Sequence, residues 1–187
     1  HVNELGDIYI ADGGNHRIQM VQYQPQVVIP AGQTSGVLTL TALEDKLFEE
    51  NEVVTFEIGS IENASLSSSQ TALSVTITDN DVAPQVLLSV SDSTLYEETG
   101  SVSVQVRLSN KSGKNASVNL GFSGTAVLGT DYTVDKQVVT FVPEDSVETV
   151  VLTAINDNLV EVVKSIEIRV SGGENISTPY PSTTVWL

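Results

Sequence analysis

Residues 102–108 read VSVQVRL. Val102, Val104, Val106 and Leu108 alternate with Ser103, Gln105 and Arg107. A period of two puts one face of an extended strand in a core and the other in water. Working outward, the same period recurs where Val54, Phe56 and Ile58 alternate with Thr55 and Glu57. It recurs again at Leu73, Val75 and Ile77, and at Ile166, Ile168 and Val170. The Ser and Thr between the apolar residues suit half-buried strands and argue against helices. Between the runs sit turn-forming clusters at Ala31-Gly32, Asn110 to Gly113, Gly129-Thr130-Asp131 and Gly172-Gly173. Short strands with such punctuation predict an all-β chain built as antiparallel sandwich. No period of 3.6 persists for three turns.

Composition narrows the function. Eight Lys and Arg stand against 24 Asp and Glu over 187 residues, a formal charge of −16. Phosphate contact needs a basic face, so nucleic acid and anionic membranes are the wrong partners, and cations or basic surfaces the right ones. With 40% hydrophobic residues, the acidity is laid over an ordinary core and does not signal disorder. Aromatics are only 5%, so that core is Val, Leu and Ile. The absence of Cys removes disulfides, thiolate metal sites and Cys nucleophiles together. No apolar run approaches the ~20 residues of a membrane span, so direct membrane insertion is not expected. No signal peptide opens the chain, and with His1 first it reads as a piece of something longer.

The chain repeats itself. Residues 29–49 read IPAGQTSGVLTLTALEDKLFE and residues 141–161 read FVPEDSVETVVLTAINDNLVE. They align without a gap, 112 residues apart, pairing Leu40 with Leu152, Thr41 with Thr153, Ala42 with Ala154, Asp45 with Asp157 and Glu49 with Glu161. Shared alternation is cheap between strands, but shared placement of Asp and Glu is not. A strand running into an acidic turn is therefore used twice. Asp79 to Asp81 closes the first copy, and Pro84 stiffens a short connection before Gln85 opens the next strand. Residues 1–23 differ in character: Asp7 to Asp12 and His16 to Tyr23 read as two strands joined by Gly13-Gly14-Asn15.

Leu95 to Gly100 (LYEETG), Gly129-Thr130-Asp131-Tyr132 and Thr153 to Glu161 together resemble a Calx-beta module, an immunoglobulin-like β-sandwich repeat of sodium/calcium exchangers and large adhesion proteins. Residues 24–81 resemble the second half of another such module, ending in Thr78-Asp79-Asn80-Asp81. Gly6 to Asp12 followed by Asn15-His16-Arg17-Ile18 resembles an NHL repeat, a β-propeller blade unit. The expected organisation is an NHL-like hairpin over 1–23, a partial Calx-beta-like module over 24–81 and a fuller one over 85–187. The first module lacks opening strands, and the second stops at Val185-Trp186-Leu187, before an acidic run like that of the first. The NHL-like hairpin, a second chain or an omitted segment could supply what the first lacks; strands from an identical chain would make a homopolymer or filament.

The resemblance implies calcium as cofactor. In the first unit the ligands would be Glu44, Asp45, the Leu47 carbonyl, Glu49, Asp79 and Asp81. In the second they would be Glu97, Asp131, Asp157, the Leu159 carbonyl and Glu161. Calcium takes six to eight oxygens, and carboxylates about 5 Å apart repel by roughly 3 kcal/mol at an effective dielectric near 20, which a divalent cation relieves. Asn156 stands where a carboxylate is usual. Against this, Asp and Asn favour turns and Glu favours water without any metal. Ion binding beside Pro84 would stiffen the connection between the units.

No catalytic constellation emerges, and the chain is not expected to be an enzyme. His16 belongs to the NHL-like turn, Ser67-Ser68-Ser69 has no base near it in sequence, and the glycine pairs lack the context of a phosphate loop. Tyr132 and Trp186 read as packing residues or a tyrosine corner. Sequons at Asn63, Asn110, Asn115 and Asn175 fall on predicted turns and suggest N-glycosylation. The expectation is a structural or adhesive segment of an extracellular or cell-surface protein, partnered by neighbouring modules of the same or an identical chain. The alternatives are an intracellular calcium-sensing regulatory module and a non-catalytic appendage of an NHL-propeller protein.

Overall fold

The structure, a computed structural model, describes residues 8–12, 17–21, 26–65, 72–98, 100–157, 160 and 162–187, the first two segments by backbone alone. Among these residues there is no helix, and every strand pair is antiparallel. They fall into two units. The first takes residues up to Asp45 and from Glu49 to Asn80; the second takes Lys46–Phe48 and Asp81–Leu187.

In the first unit, β1 (Ile8–Asp12) pairs with β2 (Arg17–Val21), as the hairpin reading of the N-terminal segment predicts. A second two-stranded sheet joins β3 (Glu52–Glu57) to β4 (Ala72–Ile77), with Val54 opposite Val75 and Glu52 opposite Ile77. Val54 and Phe56 are only half-buried, Val53 and Leu73 are largely exposed, and no described residue of this unit is buried. The segment around Leu38 to Ala42 was expected to be a strand like its repeat partner, yet it pairs with nothing among the described residues. The repeat partner shows why.

That partner is β10 (Val147–Ala154), in the second unit, where two four-stranded sheets face each other. One sheet orders β5 (Val86–Val90), β6 (Ser101–Leu108), β10 and β8 (Tyr132–Val134). The other orders β12 (Ser182–Trp186), β11 (Ser165–Glu174), β7 (Ala116–Gly124) and β9 (Val138–Phe141). In this unit β10 lies between β6, which pairs with it from Val147 to Thr153, and β8, which pairs with it from Leu152 to Ala154. An extended segment becomes a strand only where neighbours supply those bonds. Leu38 to Ala42 carries the strand's sequence without such neighbours.

Alternation settles the core. Val102, Val104, Val106 and Leu108 of β6 are buried, as are Val150 and Leu152 of β10, Ile166, Ile168 and Val170 of β11, and Val185 of β12. Tyr132 joins them and tilts its ring at 54° against Phe122, centroids 6.4 Å apart. Trp186 is different: half of it is exposed, so it does not pack as the sequence suggests, although its backbone bonds to Ser93 and Leu95. Gly172-Gly173 also departs from expectation. The pair lies inside β11, where the register with β7 shifts between Val170 and Gly172; glycine here marks a bulge and not a turn.

The repeat extends into pairing register. Ile166 faces Val185 just as Val54 faces Val75, and β3 and β11 stay 112 residues apart. The two hairpins are the same element built twice.

Candidate functional site

The β3–β4 register places Asn51 beside the residues that follow Ile77, so two acidic turns nearly thirty residues apart meet. Hydrogen bonds hold them. The Glu49 N–H donates to Asp79 Oδ2 at 2.9 Å, the Asp79 N–H donates to Asn51 Oδ1 at 3.0 Å, and Asn80 Nδ2 donates to Glu44 Oε1 at 3.0 Å. Of the expected ligands in the first copy, Glu44, Glu49 and Asp79 are thus linked through these turns, and Asp45 lies on the same segment. Leu47 belongs with Lys46 and Phe48 to the second unit, where its side chain is buried, and Asp81 belongs to that unit too. Among the described residues no three Asp, Glu or His side chains stand together as a metal set. The donor chemistry of the first-unit turns nevertheless suits a hard cation: carboxylate and carbonyl oxygens on two converging loops.

The second copy is built differently. Gly129, at φ 85°, turns the chain in a left-handed conformation that favours glycine. Within that turn the N–H groups of Thr130 and Asp131 both donate to the Val127 carbonyl, at 3.1 and 2.8 Å. The Asp131 side chain is folded inward, 5% exposed. Its Oδ2 accepts the Val127 N–H at 2.6 Å and its Oδ1 accepts Lys164 Nζ at 2.8 Å. The Asp131 carbonyl accepts the Ile155 N–H at 2.8 Å, which ties the start of the acidic segment to the same turn. Lys164 is held in turn by the residue that follows β12, exchanging both backbone hydrogen bonds with Leu187 at 2.8 and 2.9 Å.

These contacts fix the charge state. The Lys164 hydrogen bond, then the Val127 N–H, hold the Asp131 carboxyl below its ordinary range, against an opposing push from burial. Tyr132 is raised by burial and then by the neighbouring Asp131 charge. Because Asp131 is more acidic folded than unfolded, its ionised form stabilises the fold above about pH 3.9, and that stabilisation is lost as pH falls through the lowered folded value. Urea unfolding followed by the fluorescence of Trp186, the one tryptophan in the chain, is expected to lose more stability between pH 6 and pH 3 in the wild type than in Asp131→Asn. Equal losses would remove Asp131 from the acid response.

Among the described residues of the second set, Asp131 faces a lysine and not an open space between acidic turns. Each oxygen of Asp131 already accepts a donor, one of them a cation, and Asn156 brings an amide where the first copy has Glu44. Glu97 is half-buried and Asp157 exposed, while Leu159 and Glu161 lie outside the described residues. Lys164 escaped the sequence reading. Its signal was the repeat itself: 112 residues earlier stands Glu52, an anion in the same place.

The second unit is an antiparallel sandwich of two four-stranded sheets with acidic turns where strands end. Residues 79–185 match the Calx-beta domain, more than half of the chain, and the protein belongs to that family. Residues 2–20 match the NHL repeat. Among solved structures, the apo-form Calx CBD1 domain is 26% identical over 50% of this chain and 85% of that one, with a TM-score of 0.41. CBD12 from CALX1.2 is 18% identical over 89% of this chain and 65% of that one, with a TM-score of 0.39. No curated protein matches the sequence.

Proposed function

We propose that this chain is a non-catalytic structural segment of a large extracellular or cell-surface protein, in which Calx-beta modules join end to end or chain to chain. The observation that carries this reading is the open β3–β4 hairpin. It repeats the register of β11–β12, yet on the face that Val54 and Phe56 share with β4, Leu73 is 61% and Val75 36% exposed, where the second unit encloses its apolar faces between two sheets. A strand pair with an uncovered apolar side favours strands donated by an identical chain, which would give a homopolymer or filament. The sequons support a surface location: Asn63, Asn115 and Asn175 are exposed, whereas Asn110 is partly covered. Sedimentation velocity over a concentration series tests the assembly; a monomer at every concentration up to about 100 µM would overturn it.

Calcium enters this reading at the first-unit turns, through Glu44, Asp45, Glu49 and Asp79. Bound there, the ion would neutralise carboxylates and lock together turns that hydrogen bonds already hold. Millimolar calcium is expected to raise the first melting transition by several degrees, and Asp79→Asn to abolish that rise. A transition indifferent to calcium removes the metal from the reading and leaves assembly standing.

A further inference from the structure

We infer that Lys164 supplies the second unit with its own built-in cation, so that this unit holds its loop end together without calcium while the first unit's turns remain the calcium-responsive ones. The argument starts from position. The repeat and the shared hairpin register place Lys164 where the first copy has Glu52, and Asn156 where it has Glu44. One carboxylate has become neutral and another has become positive. Both changes lower the negative charge of the second copy's turn, which removes the electrostatic reason to recruit a divalent ion.

Geometry completes it. Lys164 Nζ lies 2.8 Å from Asp131 Oδ1, with the two side chains 20% and 6% exposed, a charge-assisted hydrogen bond largely sheltered from water. The lysine backbone is pinned by its paired bonds to Leu187, and the aspartate backbone by Val127 and Ile155. Through those three partners the ammonium joins the end of the β11–β12 hairpin to the Gly129–Asp131 turn and to the chain leaving β10. A bound metal would link the same kind of elements through oxygen ligands. Calcium would need six or more oxygens, and the Asp131 carboxylate already accepts Lys164 on one oxygen and an N–H on the other.

The test uses the full chain, with Trp186 in β12 as the reporter of the second unit. The wild-type midpoint is expected to be the same in millimolar calcium and in chelator, and a calcium-raised Trp186 transition overturns the inference. Lys164→Met takes the cation from the Asp131 carboxylate and is expected to lower the midpoint by about 5 °C or more; an unchanged midpoint overturns the inference. The double variant Asp131→Asn with Lys164→Met is expected to recover more than half of that loss, because position 131 then carries no charge to strand. Should Lys164→Met fail to fold, a double variant that folds supports the pairing. A double variant that also fails to fold overturns it, because the lysine would then serve something other than Asp131.

Discussion

Ile168→Ala is expected to lower the Trp186-monitored melting midpoint of the second unit by about 10 °C or more. Ile168 is fully buried in β11 among the facing strands of the sandwich. Removing its outer carbons sacrifices transfer free energy and leaves a cavity, together about 2–5 kcal/mol. Each kcal/mol moves the midpoint of a domain this size by roughly 4–8 °C. The informative comparison is Phe56→Ala. Phe56 is the same repeat position 112 residues earlier and has the larger side chain, yet it is only half-buried. In dilute solution, circular-dichroism melting is expected to register a loss well below that of Ile168→Ala, because much of the ring meets water before the change as well as after it. Matching losses would mean a closed core around β3 in the lone chain, and the case for donated strands would end there.

The same contrast shows what could be read from the amino acids. Val102 to Leu108 and Ile166 to Val170 announce their strands because alternation is a property of the strand itself, and both copies obey it. Leu38 to Ala42 alternates equally well and forms no strand, since pairing depends on neighbours that a local pattern cannot report. Trp186 is half-exposed for a similar reason: a large apolar side chain does not say which face of an edge strand it occupies. At the site, the resemblance points to Asp131 as a cation-facing carboxylate, and the structure puts a cation there. What escaped was its chemical identity, because a lysine 33 positions away meets the aspartate only after β11 and β12 have set their register. The charge inversion from Glu52 to Lys164 is visible in the repeat but lies just past the aligned acidic block that ends at Glu49 and Glu161.

Thr55→Pro is expected to reduce self-association of the chain at least tenfold while leaving the Trp186 transition of the second unit in place. The choice of residue follows from the shared register. In the second unit Lys164 and Leu187 exchange both backbone hydrogen bonds, so every second residue from Lys164 along β11 points its N–H toward β12. Ser165 points the other way, and its carbonyl accepts the Ala126 N–H beyond the end of β7. Carried to β3 by the 112-residue offset, Glu52, Val54 and Phe56 face β4, while Val53, Thr55 and Glu57 direct their N–H groups to the opposite edge. That edge corresponds to the one where β7 docks in the complete sandwich. Proline at position 55 removes one outward donor at mid-strand and sets a ring against any incoming backbone, while the bonds from β3 to β4 keep their donors. The side-chain bond between Thr55 and Ser74, 2.9 Å long, is lost as well, a small and local cost. Thr55→Val is therefore the control, since it loses that bond but keeps the outward N–H. If sedimentation shows Thr55→Pro and Thr55→Val associating alike, the chains meet through some other surface and the edge of β3 is not where a donated strand enters.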